Sequence, residues 1–180
     1  MITINTKITV NKMQKLMQEL EALKDIRILV GIPEEENLRR DEEDSSVGNA
    51  LLAYVHDNGS PVRGIPARPF MKPGIARVQS KISSFMRKAA KAHLEGQMEE
   101  KIKLLHNAGM VAADSIRSVI NIGEGFTPLK RATLLGRMRR REYLKNLSNE
   151  EREDIMDSFH PLVDTGQMRN AITYSIEGVE

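Results

Sequence analysis

The chain has 180 residues, of which 40% are hydrophobic, so it is long enough to bury a core and is not globally disordered. Its net charge of +2 says little about partners, and the lack of Cys excludes a disulfide framework and thiolate chemistry. With no Trp, three Tyr and four Phe, the core must rest on Ile, Leu, Val, Ala and ten Met.

"MITINTKITV" alternates polar and apolar residues and lacks the continuous apolar stretch of a signal peptide. No run approaches the ~20 apolar residues of a spanning helix, so the expectation is a soluble protein with no membrane partner, and the lack of Cys fits a reducing cytoplasm. Ile2, Ile4, Ile8 and Val10 share one parity, which predicts a half-buried strand, after which Asn11 can cap a helix. Met13, Leu16, Met17, Leu20 and Leu23 follow at helical spacing, and Ile26, Ile28, Val30 and Ile32 return to period two.

The segment from Glu34 to Asp44 holds seven acids and two arginines, which predicts a mobile acidic loop at about 33–46. "VGNALLAYVHDNG" reads as a short helix with Gly59 as its stop. Four prolines in "SPVRGIPARPFMKPG" predict a stiff, extended arm at about 60–74. From about 75 to 120 the pattern is helical, with Gly96 and Gly109 as candidate breaks. "NIGEGFTPLK" is a loop, Arg131 to Leu147 is partly helical, and Ser148 with Glu151 has capping-box spacing before a helix that runs to Phe159. Ile172, Tyr174 and Ile176 alternate as a last strand, and there is no internal repeat. The expected fold class is α+β, a single domain over 1–180 with three or four short strands in a small antiparallel sheet packed against several helices.

"PLVDTG", Pro161 to Gly166, has the form in which an aspartic protease presents its carboxylate. Such an enzyme needs two carboxylates sharing a proton, on loops of a strand-rich body, and here a mostly helical chain precedes the motif and fourteen residues follow it. The preferred reading is structural: Asp164 caps a short helix, Gln167 stands in the capping-box position, and Gly166 permits the turn. The histidines at 56, 93, 106 and 160 form no recognised metal spacing, and there is no phosphate-cradling loop or nucleophile elbow. The expectation is therefore no enzyme, no metal and no cofactor.

Two segments carry a functional reading beside a structural one. Arg137, Arg139, Arg140 and Arg141 are either a solvated helix face or a salt-dependent contact to nucleic acid phosphates; with only Tyr143 nearby, base stacking is not expected. In "GIPARPFMKPG" the prolines either fix a linker or stiffen an arm that docks on a neighbouring subunit through Ile65, Pro66, Arg68, Pro69 and Phe70.

The order of these motifs is distinctive: "NALLAYVHDNGS", then "IPARPFMKPGI", a long helical stretch, and "HPLVDTGQMRNAITYSI". It resembles the tail-completion or neck proteins of tailed bacteriophages over roughly residues 48–177. "TPLKRATLLGRMRRRE" looks like that family's variable basic region, while Glu34 to Asp44 and Leu144 to Phe159 stand outside its pattern. The resemblance implies a virion structural protein that joins tail to head. It would form a ring of six copies between a connector or head-completion protein and the tail tube or terminator, beside the packaged DNA. A tail terminator, or a nucleic-acid-binding protein using Arg137 to Arg141, is the alternative. Ring contacts are heterologous, and the acidic and basic segments are candidates for the two unlike patches.

Overall fold

The computed structural model describes residues 2–39, 47–141 and 148–179. In chain order it contains α1 (Ile2–Lys24), β1 (Arg27–Gly31), α2 (Asn49–Asn58), α3 (Met71–Leu94), α4 (Met98–Ile122), α5 (Arg131–Arg140), α6 (Asn149–Asp157), α7 (Gln167–Asn170) and β2 (Thr173–Glu177). Short 3-10 turns occupy Glu34–Glu36 and Pro61–Arg63. The class is α+β, as expected, but among the described residues the antiparallel sheet has two strands, β1 and β2, rather than three or four.

The missing strand is the one expected at Ile2 to Val10. Those residues are the opening turns of the 23-residue α1, and Asn11 lies inside that helix rather than at its cap. Once the turns over Met13 to Leu23 exist, each preceding residue joins at the small cost of propagation, which outweighs a weak β preference. The later part of the expected acidic loop, 40–46, and residues 142–147, for which partial helix was expected, lie outside the described residues. What precedes the former is tied down: Asn37 Oδ1 accepts from Ala50 N at 2.9 Å, and the buried Asn49 donates to Glu36 O at 3.0 Å.

The chain divides into two compact units, each discontinuous in sequence. The first comprises Met1–Val30, Val78–Ala113 and Thr173–Glu180. Here Ala89, Ala92, Leu104 and Leu105, spaced to line one face of each helix, are packed by Ile26, Ile28, Phe85, Met86, Ile176 and Val179. Alternate residues of both strands therefore face the helices, which is why period two identified β1 and β2. The break between α3 and α4 falls at Gly96, as expected for one of the two glycines. Gly109 instead sits in unbroken helix, and the Tyr174 ring lies where a Cβ would stand. Tyr174 also bonds His106 Nδ1 through its hydroxyl, 3.0 Å away, with the rings edge to face. Buried His93 on α3 takes Glu19 of α1 as partner, Nε2 donating toward the Glu19 carbonyl at 3.1 Å and its carboxylate at 3.0 Å.

The second unit comprises Gly31–Arg77 and Asp114–Ile172. Phe70, Ile116, Ile120 and Ile172 are fully buried in it. The Ser148–Glu151 box forms as expected: Glu151 Oε2 accepts from Ser148 N at 2.8 Å and Ser148 Oγ from Glu151 N at 3.3 Å. Those bonds lower the Glu151 carboxyl below its ordinary pKa. Met138 of α5 packs against Ile155 and Phe159, at and beyond the end of α6.

Gly74 lets the start of α3 approach the α4 backbone at Ile116, an approach held by Ser115 Oγ donating to Gly74 O at 2.7 Å. A methyl group there meets main-chain atoms that cannot swing away. Gly74→Ala is expected to lower stability by about 1–3 kcal/mol despite its better helix propensity. Denaturant unfolding with an unchanged m-value would register the loss; a neutral or stabilising result would contradict this close packing.

Candidate functional site

The proline-rich arm is anchored by Asp57, near the end of α2. Asp57 Oδ1 accepts from Phe70 N at 2.7 Å and from Met71 N at 3.0 Å, so one helix supplies the cap for the next. Gly59 ends α2 at φ 79°, and its lack of a side chain leaves room for the Ala67 backbone to fold back over it. Arg68 N then donates to His56 O at 2.8 Å. Beyond Phe70 the expected arm is already helix, since α3 opens at Met71 with Pro73 in its first turn, where a missing N–H costs nothing.

This geometry corrects the docking reading at two positions. Phe70 is 0% exposed and Arg68 4% exposed, so both are spent inside their own chain. Arg68 Nε donates to Thr127 O at 2.8 Å and its Nη2 to Pro128 O at 3.2 Å, pinning the loop before α5. Ile65 and Pro66 are half-buried, and Pro69 is exposed.

Part of the basic cluster is also turned inward. Arg137 is buried on α5 and donates through Nη1 to His160 O at 2.8 Å and Val163 O at 3.0 Å, and through Nη2 to Pro161 O at 3.2 Å. Asp164 faces three guanidiniums: Arg140 at 2.5 Å, Arg141 at 3.6 Å and Arg137 at 3.7 Å. Arg141 also lies over the Phe159 ring, 4.6 Å from its centroid. Neither a solvated face nor a free phosphate-binding cluster describes this arrangement, and of the four arginines Arg139 and Arg140 are the exposed ones. The role expected for Asp164 is corrected with it. Gly166, at φ 80°, is the N-cap of α7, and the Asp164 carboxylate serves the arginines instead. Thr165 Oγ1 lies 3.4 Å from Gln167 N.

His56 sits beside this framework. Burial, first, and then the nearby positive charges of Arg68 and Arg137 hold its imidazole below the ordinary histidine pKa. Its Nδ1 is buried without a hydrogen-bond partner among the described residues. Burial likewise lowers both guanidiniums from their ordinary value, though arginines at this depth stay charged.

Arg68 of the arm and Arg137 of the basic cluster both lie close enough to His56 to disfavour its proton, and in the same unit α2 packs on α7. In this unit lies an open, mainly apolar cavity of about 210 Å³ lined by Ala50, Ala53, Tyr54, Met71 and Ile172, with Asp57 and Asn58 also in its lining. Sequence reasoning missed Asp57 and Arg117, the latter donating to Ile172 O through Nε at 3.0 Å and Nη2 at 2.8 Å. Their partners are 13 and 55 positions away, so no local spacing announces them. Among the described residues no three His, Asp or Glu are placed to hold a metal, and no helix is long and apolar enough to cross a membrane. No protein-family model, curated protein or solved structure matches the chain.

Arg137→Met strands three loop carbonyls and should cost about 3–5 kcal/mol of stability, whereas Arg139→Glu should change it by no more than about 0.5 kcal/mol. Thermal or denaturant melts distinguish the two. Because the folded pKa of His56 lies below its unfolded value, the unfolded chain binds its proton first as pH falls. Stability should therefore decline with acidification from about pH 6.5 downward, where a free histidine takes its proton. His56→Gln should flatten that part of the pH–stability curve.

Proposed function

We propose that this protein is a structural component of a tailed-bacteriophage neck, completing the tail end and joining tail to head as a ring of copies. One observation carries the reading. The segments "NALLAYVHDNGS" and "HPLVDTGQMRNAITYSI", far apart in the chain, meet through α2 and α7, and "IPARPFMKPGI" is pinned to the first of them by Asp57. The residues that suggest the resemblance thus build one framework, with Arg68 and Arg137 bracing its loops. In this reading the chain performs no chemistry; it presents surfaces to further copies of itself, to a connector or head-completion protein and to the tail tube. The inward turn of Arg137 and Arg141 weighs against nucleic acid binding as the main role and moves the ring contact away from the basic cluster.

Electron microscopy of particles made by a phage lacking this protein tests the reading. Filled heads beside separate tails of normal length are expected. Overlong tails would make the protein a tail terminator, and intact joined particles would end the neck assignment.

A further inference from the structure

The turn after α2 is held more firmly than its own packing requires. Ser60 and Ile65 form a two-bond bridge, Ser60 N donating to Ile65 O at 2.8 Å and Ile65 N to Ser60 O at 3.0 Å. Arg63 N donates to Ser60 O at 3.1 Å, and Gly64 N to Pro61 O at 3.0 Å with Gly64 in the left-handed conformation. Lys130 Nζ reaches across from the start of α5 to Gly64 O, 3.2 Å away. Pro61 removes further freedom. At the apex of this construction Val62 is 99% exposed, with exposed Arg63 beside it. An apolar side chain is thus presented on a pre-ordered turn, the arrangement that loses least entropy on docking.

The same unit carries a receptor of matching chemistry. The cavity of about 210 Å³ is lined by the apolar Ala50, Ala53, Met71 and Ile172, and Asp57, whose Oδ1 caps α3, adds a negative charge to that lining. It is smaller than the ~300–1,000 Å³ usual for small-molecule sites, and of a size for one or two side chains. We propose that Val62 of one copy inserts into this cavity on the next copy, with the Arg63 guanidinium meeting Asp57. The occupant is a second copy of this chain because the tip offers what the cavity lacks: a compact branched apolar group and an adjacent positive charge facing the negative one. Tip and cavity are different patches: used in one direction the contact is head to tail and propagates around a ring, whereas a reciprocal exchange would close a two-fold dimer, which light scattering tells apart by mass. The contact deepens the ring reading and rests on it, and it makes the turn at Pro61–Arg63, rather than Phe70, the part of the arm that docks.

The absence of cysteine makes the test clean. Val62→Cys and Ala53→Cys chains are purified separately, mixed at high concentration and oxidised. The expected product is a covalent heterodimer that neither variant forms alone and whose yield falls at least about tenfold when Arg63→Glu is added to the Val62→Cys chain. Circular dichroism confirms that each variant is folded. Association by light scattering without that heterodimer would overturn this contact and leave the ring reading standing. A chain that stays monomeric and uncrosslinked would also overturn the contact, while the particle phenotype judges the ring reading separately.

Discussion

A loop without regular structure must still satisfy its carbonyl groups, and in this protein buried and half-buried guanidiniums do much of that work. Arg68 takes Thr127 and Pro128, Arg117 takes Ile172, and Arg137 takes His160, Pro161 and Val163. A guanidinium offers five donors in a rigid fork, so one side chain can fix the path of several residues where no strand runs alongside. With only two short strands among the described residues, this is how the long connections around α5 and α7 acquire a defined course. The design also commits the arginines: a side chain that closes a loop is not available to a phosphate or to a neighbour.

The same economy governs the start of α3. Asp57 is a helix-end residue that caps a different helix, and its charge is used where two backbone donors would otherwise face an apolar interior. Its position links the orientation of α2 to the path of the arm, and hence links the exposed turn to the cavity wall. His56, the residue before it, is the cost of this crowding. A neutral ring between two cations is tolerated, and a protonated one is disfavoured.

Much of the architecture was legible in the residues. Period-two runs marked β1 and β2, apolar spacing marked α2, α3 and α4, and Ser148 with Glu151 located the start of α6. The N-terminal misreading has a simple origin. Ile2, Ile4, Ile8 and Val10 satisfy a strand parity, but the helix that they join is decided by its C-terminal portion, which pattern counting treats as a separate element. The candidate site was less legible. "RMRRRE" looks like an exposed basic face because composition cannot show that carbonyls some 25 positions downstream are aimed at it. Similarly, an exposed arm and a buried one share the letters "ARPF"; what separates them is the Asp57 and Thr127 partners, which lie outside any local window. Val62 carries no local signal, since exposure is a property of the folded turn and not of the residue.

The order in which the chain is made bears on the first unit. Its two strands come from opposite parts of the sequence, and α3 and α4 lie between them. Such non-local closure is slow, because loop entropy is lost before the pairing is gained. During synthesis β1 waits without its hydrogen-bonding partner until β2 emerges from the ribosome, although α3 and α4, which cover Ile26 and Ile28, are already made. Chaperone demand should therefore be set by the delay between these strands, and a premature stop before Thr173 would leave an unpaired edge open to aggregation.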